Sequence, residues 1–248
     1  SMAISLAEAG VKIVILDLHK EAAEKRAHEI TALGGEAIGL ATNVLDQDDL
    51  EKVKADILKK WSTIDILINA AGGNMPGATI GPDQTIFDLS IDAFRKVTDL
   101  NLNGSVLPSI VFGKVMADNG TGTIINISSM SVSQAITRVA GYSASKAAIE
   151  NFTRWMAVEM AHKYGEGIRV NAIAPGFFIG EQNRALLTNP DGTFTERGNQ
   201  VIRKTPMGRF GVAEELNGSI HYLCSHASKF VTGIVIPIDG GFSAFSGV

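Results

Sequence analysis

Cysteine is almost missing from this 248-residue chain: Cys224 stands alone. That excludes a disulfide within the chain and fits a reducing compartment, where a single thiol serves as a small buried apolar residue. Basic residues are not in excess either. With 22 Lys and Arg against 26 Asp and Glu, the formal net charge is -4, so the chain lacks the cationic footprint that a phosphate backbone requires, and no nucleic-acid partner is expected. Long apolar runs are absent too. No stretch approaches the ~20 uninterrupted apolar residues of a membrane-spanning helix, and no charged, apolar and cleavage-site sequence opens the chain. A cytoplasmic location without a membrane partner is expected. The five histidines form no metal-ligand pattern, His221 and His226 being five apart, so no metal site is expected.

What is present is apolar and moderately charged, 45% and 19% of residues, which suits one globular domain spanning 1–248 with a substantial core. Short β-rich runs begin at Val11 (VKIVILD), Ile64 (IDILINAAG), Gly122 (GTIINISS), Ile168 (IRVNAIAPG) and Gly233 (GIVIPIDGG). They alternate with helical periodicity over Ala22–Leu33, Gln47–Trp61, Ile91–Met116, Ser143–Tyr164 and Glu214–Leu223. Near-continuous apolar strands between helices read as parallel strands covered on both faces. The expected fold is α/β: a Rossmann-like doubly wound parallel sheet in three αβα layers, with a ligand crevice at the C-terminal strand ends. Two irregular stretches, Gly72–Gln84 and Gly176–Gly211, read as loops over that crevice, with 177–211 as a substrate lid.

The first ten residues, SMAISLAEAG, read as a helix body closed by Gly10. In a dinucleotide-binding unit such a helix opens at a Gly-rich phosphate loop, and an acidic residue follows about 20 positions after it. Asp17 is placed to be that acid. The expectation is that a strand and a Gly-rich loop precede Ser1. Asp17 at a strand tip can accept hydrogen bonds from both adenosine ribose hydroxyls while repelling a 2′-phosphate, which favours NAD; as a bland alternative it caps the helix near Lys20. Lys12 and Lys20 nearby keep NADP open.

In GYSASK, Gly141–Lys146, Tyr142 and Lys146 are four residues and therefore one helical turn apart. A pair this short occurs by accident, so context decides. Ser129 ends GTIINISS thirteen residues before Tyr142, NAAG (Asn69–Gly72) closes another strand, and Asn101 lies in the long helix beginning near Ile91. Together with Pro175-Gly176 at a third strand end, these features resemble the short-chain dehydrogenase/reductase family from Met2 to Val248. The N-terminal T-G-x-x-x-G-x-G loop is unmatched, Asn43-Val44 stands where the family often has Asp-Val, and Gly180 stands where a Thr often follows the Pro-Gly.

The resemblance implies a catalytic set of Asn101, Ser129, Tyr142 and Lys146. When a hydride reaches a carbonyl carbon, charge builds on oxygen and a proton must arrive there. A free phenol, with a pKa of about 10, is a weak donor near neutrality, and a neighbouring ammonium favours the phenolate. Tyr142 is thus the expected acid/base, Lys146 its modulator and nicotinamide-ribose ligand, Ser129 the carbonyl-orienting donor, and Asn101 the holder of a water between Lys146 and solvent. The cofactor-binding residues implied are Asp17, Asn43, Val44, Asn69, Ala70, Gly72, Tyr142, Lys146, Pro175, Gly176 and Ile179, for NAD(H) with NADP(H) left open. INAAGGN, INISSM, IAPGFFIGEQNRALL, TPMGRFG and PIDGGFSAFSGV resemble the D-mannonate oxidoreductase (fructuronate reductase) branch, which implies reduction of D-fructuronate to D-mannonate. Carboxylate and hydroxyl recognition then falls to Asn74, Arg138, Gln182, Asn183 and Arg184. Another polyol, a gluconate-type acid or a 3-oxoacyl substrate stays open, as does a non-catalytic structural relative. The family resemblance also implies a homotetramer or homodimer, paired through the helices of Ile91–Met116 and Ser143–Tyr164.

Overall fold

The computed structural model describes residues 1–181 and 183–247. Six strands and nine α-helices alternate along them: α1 (Met2–Glu8), β1 (Ile13–Asp17), α2 (Lys20–Ala32), β2 (Ala37–Ala41), α3 (Gln47–Trp61), β3 (Ile66–Asn69), α4 (Ile91–Thr98), α5 (Gly104–Asn119), β4 (Gly122–Ile127), α6 (Ala140–Tyr164), β5 (Ile168–Pro175), α7 (Arg184–Leu187), α8 (Glu196–Lys204), α9 (Asn217–Cys224) and β6 (Val235–Ile238). All pairings between strands are parallel. β1 pairs with β2, and β3, β4, β5 and β6 pair in that order. The expected doubly wound sheet is present in these two pieces, and β1 and β3 are not hydrogen-bonded to each other.

Alternation along the strands sets the layers, because successive side chains point to opposite faces. Ile125 of β4 and Ile173 of β5 join Leu6, Ile13, Ile30, Ile220 and Leu223 under α1, α2 and α9. Ile124 and Val170, one residue out of phase with them, join Met116, Met156 and Met160 under α5 and α6. A third cluster, Leu50, Val53, Ile57, Val111 and Phe112, binds α3 to α5, with Val14, Leu16 and Leu67 packed against it. Side chains of β1 and β3 therefore enter the same cores even though their backbones do not pair.

Local chemistry explains the helix limits. The Asp46 carboxylate caps α3 by accepting from the backbone N–H of Asp48 and Asp49. Acids occupy the first turn of α3 and Lys59 and Lys60 the last, as the helix dipole favours. Two expectations are corrected. The expected helix of Ile91–Met116 is broken by a π turn at Asp99–Asn103, and the supposed loop of Gly176–Gly211 contains α7 and α8. Those helices have an apolar centre of their own, Leu187, Val201 and Phe210. The EAIGLA segment, unremarked in the sequence, forms β2. No described helix is long and apolar enough to cross a membrane.

Candidate active site

The small residues of GYSASK let α6 approach α4 closely. A Cβ on Gly141 would lie 2.7 Å from Val97 Cγ1 and 3.0 Å from a Phe94 ring carbon, so only glycine fits. Ser145, also buried, returns its hydroxyl to the Gly141 carbonyl at 2.6 Å. This contact fixes the first turn of α6, and with it Tyr142 and Lys146 on one helix face.

Lys146 is buried, 4% exposed. Its Nζ donates to the Ile127 carbonyl at 2.7 Å, at the end of β4, and lies 5.5 Å from the centre of the Tyr142 ring. Burial lowers the ammonium to about 8. Ser129, two residues past β4, is also buried. It is held by the strand ends: Met130 N–H donates to the Pro175 carbonyl at 3.2 Å, and Gly176 N–H to the Ile238 carbonyl at 2.9 Å. Burial raises the Tyr142 phenol above its ordinary value, and the Ser129 hydroxyl alongside pulls the other way. The lowering of the phenol expected from Lys146 is thus not what this geometry yields. Desolvation dominates both groups, and it favours the neutral form of each.

The NAAG turn brings the third strand end to the same place. Gly72 and Gly73 have φ of 148° and 142°, a conformation that glycine adopts readily. A Cβ on Gly72 would fall 2.6 Å from Asn101 Oδ1 and 3.5 Å from Lys146 Nζ. Asn101, in the π turn, donates from Nδ2 to the Gly73 and Val97 carbonyls, both at 2.7 Å, and accepts from Gly73 N–H at 3.0 Å. Both its amide hydrogens are therefore used within the protein. A water there, as expected from the resemblance, finds no donor on the Asn101 side chain.

Asn69 is corrected as well. Its side chain turns into the interior, donating to Ser109 Oγ at 2.9 Å and to Asn126 Oδ1 at 2.8 Å. The chain continues from Asn126 Nδ2 to Thr153 Oγ1 at 2.9 Å, and from Ser109 through Ser105 to the Asn101 carbonyl. This polar network stitches α5, β3, β4 and α6 together. Nothing in the strand pattern announced it except polar residues inside otherwise apolar runs.

The other expected residues scatter. Asp17 Oδ1 accepts from His19 N–H at 2.8 Å, so part of its capacity goes to starting α2. Lys12 and Lys20 are each 3.5 Å from a carboxylate, Glu36 and Glu24. Asn43 is exposed and accepts from Leu45 N–H, while Val44 packs toward Gly104. Ala70 is exposed and Pro175 and Gly176 are half-buried. Ile179 packs against the Leu187, Val201 and Phe210 cluster.

Among the candidate substrate residues, Asn74 donates to Thr79 Oγ1 at 2.6 Å while its Oδ1 is buried without a partner among the described residues. Asn183 spends its amide locally, accepting from Gly180 N–H and donating to the Phe178 carbonyl, both at 2.8 Å. Arg184 is exposed at the start of α7. Arg138 has a left-handed φ of 78° and donates from Nε to the Ile80 carbonyl at 2.6 Å. Gln182 lies outside the described residues. Arg197, which sequence reasoning passed over, lies beside the segment that leads to Tyr142.

Comparison with known proteins shows the family. Residues 1–243 match the family model described as Enoyl-(Acyl carrier protein) reductase. The uncharacterized oxidoreductase UxuB of Bacillus subtilis (strain 168) is 47% identical over 257 residues, which cover 100% of this chain and 91% of the relative. A provisionally assigned D-mannonate oxidoreductase from Haemophilus influenza, solved with bound NAD, superimposes with a TM-score of 0.92 at 45% identity, covering 100% of this chain and 91% of that one. A gluconate 5-dehydrogenase from Burkholderia cenocepacia J2315, in complex with NADP and tartrate, gives 0.86 at 31% identity, with 98% and 90% coverage. The chain belongs to the short-chain dehydrogenase/reductase family and is an oxidoreductase.

Proposed function

We propose that this chain is an NAD(H)-dependent reductase that converts a keto sugar acid, D-fructuronate, to the hydroxy acid D-mannonate, with Tyr142 as the proton donor. The observation that carries it is the trio at the end of β4: the half-buried phenol of Tyr142, the buried Ser129 hydroxyl beside it, and the buried Lys146 ammonium 5.5 Å from the ring. The relative solved with NAD supports the cofactor and the substrate class.

The residues present fit a dinucleotide. Asp17 has lone pairs left over for ribose hydroxyls, and the two lysines near it are each paired with a carboxylate, which leaves little to welcome a 2′-phosphate. Gly72 keeps clear the space that a Cβ would fill, next to Lys146. Lys146 has two N–H groups beyond the one given to Ile127, suited to a ribose. Bound there, NADH supplies the hydride.

The chain's own residues handle the proton. Ser129 donates a hydrogen bond to the substrate carbonyl and fixes its direction. As charge grows on that oxygen, Tyr142 Oη releases its proton to it and is left as phenolate. The Lys146 ammonium, with its value lowered to about 8, serves as a proton source for its recovery. Burial raises the phenol further above neutrality, so Tyr142 holds the proton that reduction requires.

A gluconate-type acid is the second reading, supported by the gluconate 5-dehydrogenase fold relative. Pairing of copies is supported by exposed apolar side chains on α5 and α6, Ile110, Trp155 and Val158, and sedimentation velocity tests it. The substrate test follows NADH oxidation with D-fructuronate, 5-keto-D-gluconate, a neutral ketone and a 3-oxoacyl thioester. D-fructuronate should give the highest kcat/KM, and Tyr142→Phe should lose about 100- to 10,000-fold of it. A thioester turned over faster than either acid would overturn the substrate, and an undiminished Tyr142→Phe would overturn the mechanism.

A further inference from the structure

A cavity of about 610 Å³ opens between α8, the C-terminal segment and residues 134–137. The 134–137 segment lies in the chain between Ser129 and Tyr142, and Phe177 follows the Pro175-Gly176 strand end, so two sides of the cavity are continuous in sequence with the candidate site. α8 contributes Arg197, Gln200, Val201 and Lys204, positions spaced by three, four and seven that form one helix face. Phe177 and Phe242, packed edge to face with centres 5.4 Å apart, also line it. The space is thus partly aromatic and partly cationic. Arg203 also reaches it, but is ion-paired with Glu196 at 2.8 Å.

Arg197 differs from its neighbours on α8. It is half-buried, and among the described residues no carboxylate lies within ion-pairing distance of it. Among the described residues its single side-chain hydrogen bond is to Thr137 Oγ1 at 3.5 Å, too long to hold a guanidinium firmly. Another cation also bears on it. Arg138 acts on Arg197 in the same direction as burial, and both push its guanidinium below the ordinary range. Arg138 itself is pinned in a left-handed conformation, with Nε on the Ile80 carbonyl and its own carbonyl accepting from Ile80 N–H at 3.0 Å. That leaves its two terminal nitrogens without a hydrogen bond among the described residues.

The Arg197 guanidinium reaches Thr137, the residue before Arg138, so the two cations lie on neighbouring positions of the fold; half-buried and without a counter-ion among the described residues, they disfavour the resting protein through lost hydration and mutual repulsion. A carboxylate entering between them removes both penalties and accepts forked hydrogen bonds. Strain held at Arg138 is also characteristic of a binding position, because only a surrounding constraint sustains it.

We propose that Arg197, acting beside Arg138, is the specificity residue that holds the carboxylate end of the substrate in this cavity and so selects acids over neutral ketones. This rests on the reading of the substrate as a keto sugar acid. It assigns the anionic end of the substrate to α8 and the 134–138 segment; Arg184, exposed on α7, is not part of it.

The test compares wild type, Arg197→Met and Arg197→Lys in steady-state NADH oxidation with D-fructuronate and with a neutral ketone. Arg197→Met should raise KM for D-fructuronate by about 10- to 100-fold, the loss of a charge-assisted forked contact. Arg197→Lys should recover only part of this, since an ammonium cannot fork. KM for the neutral ketone should change less than about threefold, as expected for a group that meets only the charge. An equal rise for both substrates overturns the assignment. Should wild type reduce no sugar acid, thermal shifts with D-gluconate, D-mannonate and tartrate in the presence of NADH separate the two readings. Stabilisation of wild type but not of Arg197→Met upholds the carboxylate site while the reductase assignment fails. Equal shifts, or none, overturn the site. If Arg197→Met does not fold, the comparison is carried by Arg197→Lys, whose KM for D-fructuronate must rise above that of wild type.

Discussion

Asn101 and Gly73 hold each other through a reciprocal pair of hydrogen bonds, Gly73 N–H to Oδ1 at 3.0 Å and Nδ2 to the Gly73 carbonyl at 2.7 Å. One side chain thus joins a π turn to the turn that ends β3, and Lys146 lies against the same spot. Asn101→Ala would leave the Gly73 N–H and two carbonyls unpaired in a region without ready access to water. A loss of about 1–3 kcal/mol is expected, readable by urea unfolding. Activity should fall further than stability, because the Gly72–Gly73 turn would no longer be fixed beside Lys146. Unchanged stability would mean that the π turn holds itself.

Gly72 tests the same junction from the other side. Gly72→Ala places a methyl group 2.6 Å from Asn101 Oδ1 in a backbone conformation with φ of 148°. Either the turn opens or Asn101 gives way, and each displaces the residues around Lys146. NADH affinity, followed by fluorescence titration, should weaken by about 10-fold or more, the cost of a clash that repacking only partly relieves. A Gly72→Ala protein that binds NADH normally would place the cofactor elsewhere.

The Asn69–Asn126–Thr153 network should behave as a unit. Asn69→Ala takes one partner each from Ser109 and Asn126, and Asn126→Ala takes one partner each from Asn69 and Thr153. The double variant should therefore cost less than the sum of the singles, with a coupling of roughly 0.5–3 kcal/mol for residues in one hydrogen-bonded chain. Additive losses in chemical denaturation would show that these contacts do not share energy.

Much of this was legible beforehand, because parallel strands covered on both faces carry their apolar runs openly. Tyr142, Lys146 and Ser129 were also readable, since their spacing is local: one turn of α6, and the end of β4 thirteen residues earlier. Asn69 and Asn101 were located, but the partners of their side chains were not. Their partners are 57 and 28 residues distant, and a linear pattern does not say whether an asparagine faces a ligand or the interior. Arg197 escaped notice for the same reason. Its meaning comes from Thr137 and Arg138, about 60 positions away across a fold contact. β2 was missed because Gly39 interrupts a short strand pattern, although a Cβ there would strike the Ala23 backbone at 2.3 Å. Close approach of α2 made the glycine necessary, and tertiary packing overrode its poor strand propensity.

Lys146 should cost the protein stability at neutral pH. Its ammonium is lowered from the ordinary 10.5 to about 8 by burial, so below pH 8 both folded and unfolded chains carry the proton and the desolvation penalty is fully present. Between pH 8 and 10.5 the unfolded chain binds more protons than the folded one, so this group makes stability rise with pH. The size of the penalty is roughly 3 kcal/mol, reduced in a Lys146→Met comparison by the hydrogen bond to the Ile127 carbonyl that the methionine cannot make. Lys146→Met should accordingly be the more stable protein at pH 7 by about 1–2 kcal/mol, with its advantage shrinking toward pH 9.5. Tyr142 limits the window from above. Its folded value is raised, so the stability it contributes is complete below the ordinary phenol value and declines beyond it. The same substitution should remove at least about 100-fold of the reductase activity, and wild-type kcat/KM for ketone reduction should decline above about pH 8 as the Lys146 proton is lost. Thermal melts of both proteins from pH 7 to 9.5, beside a pH–rate profile, check the two halves together. A Lys146→Met protein less stable than wild type at pH 7 would show that the buried ammonium is held by more than one carbonyl.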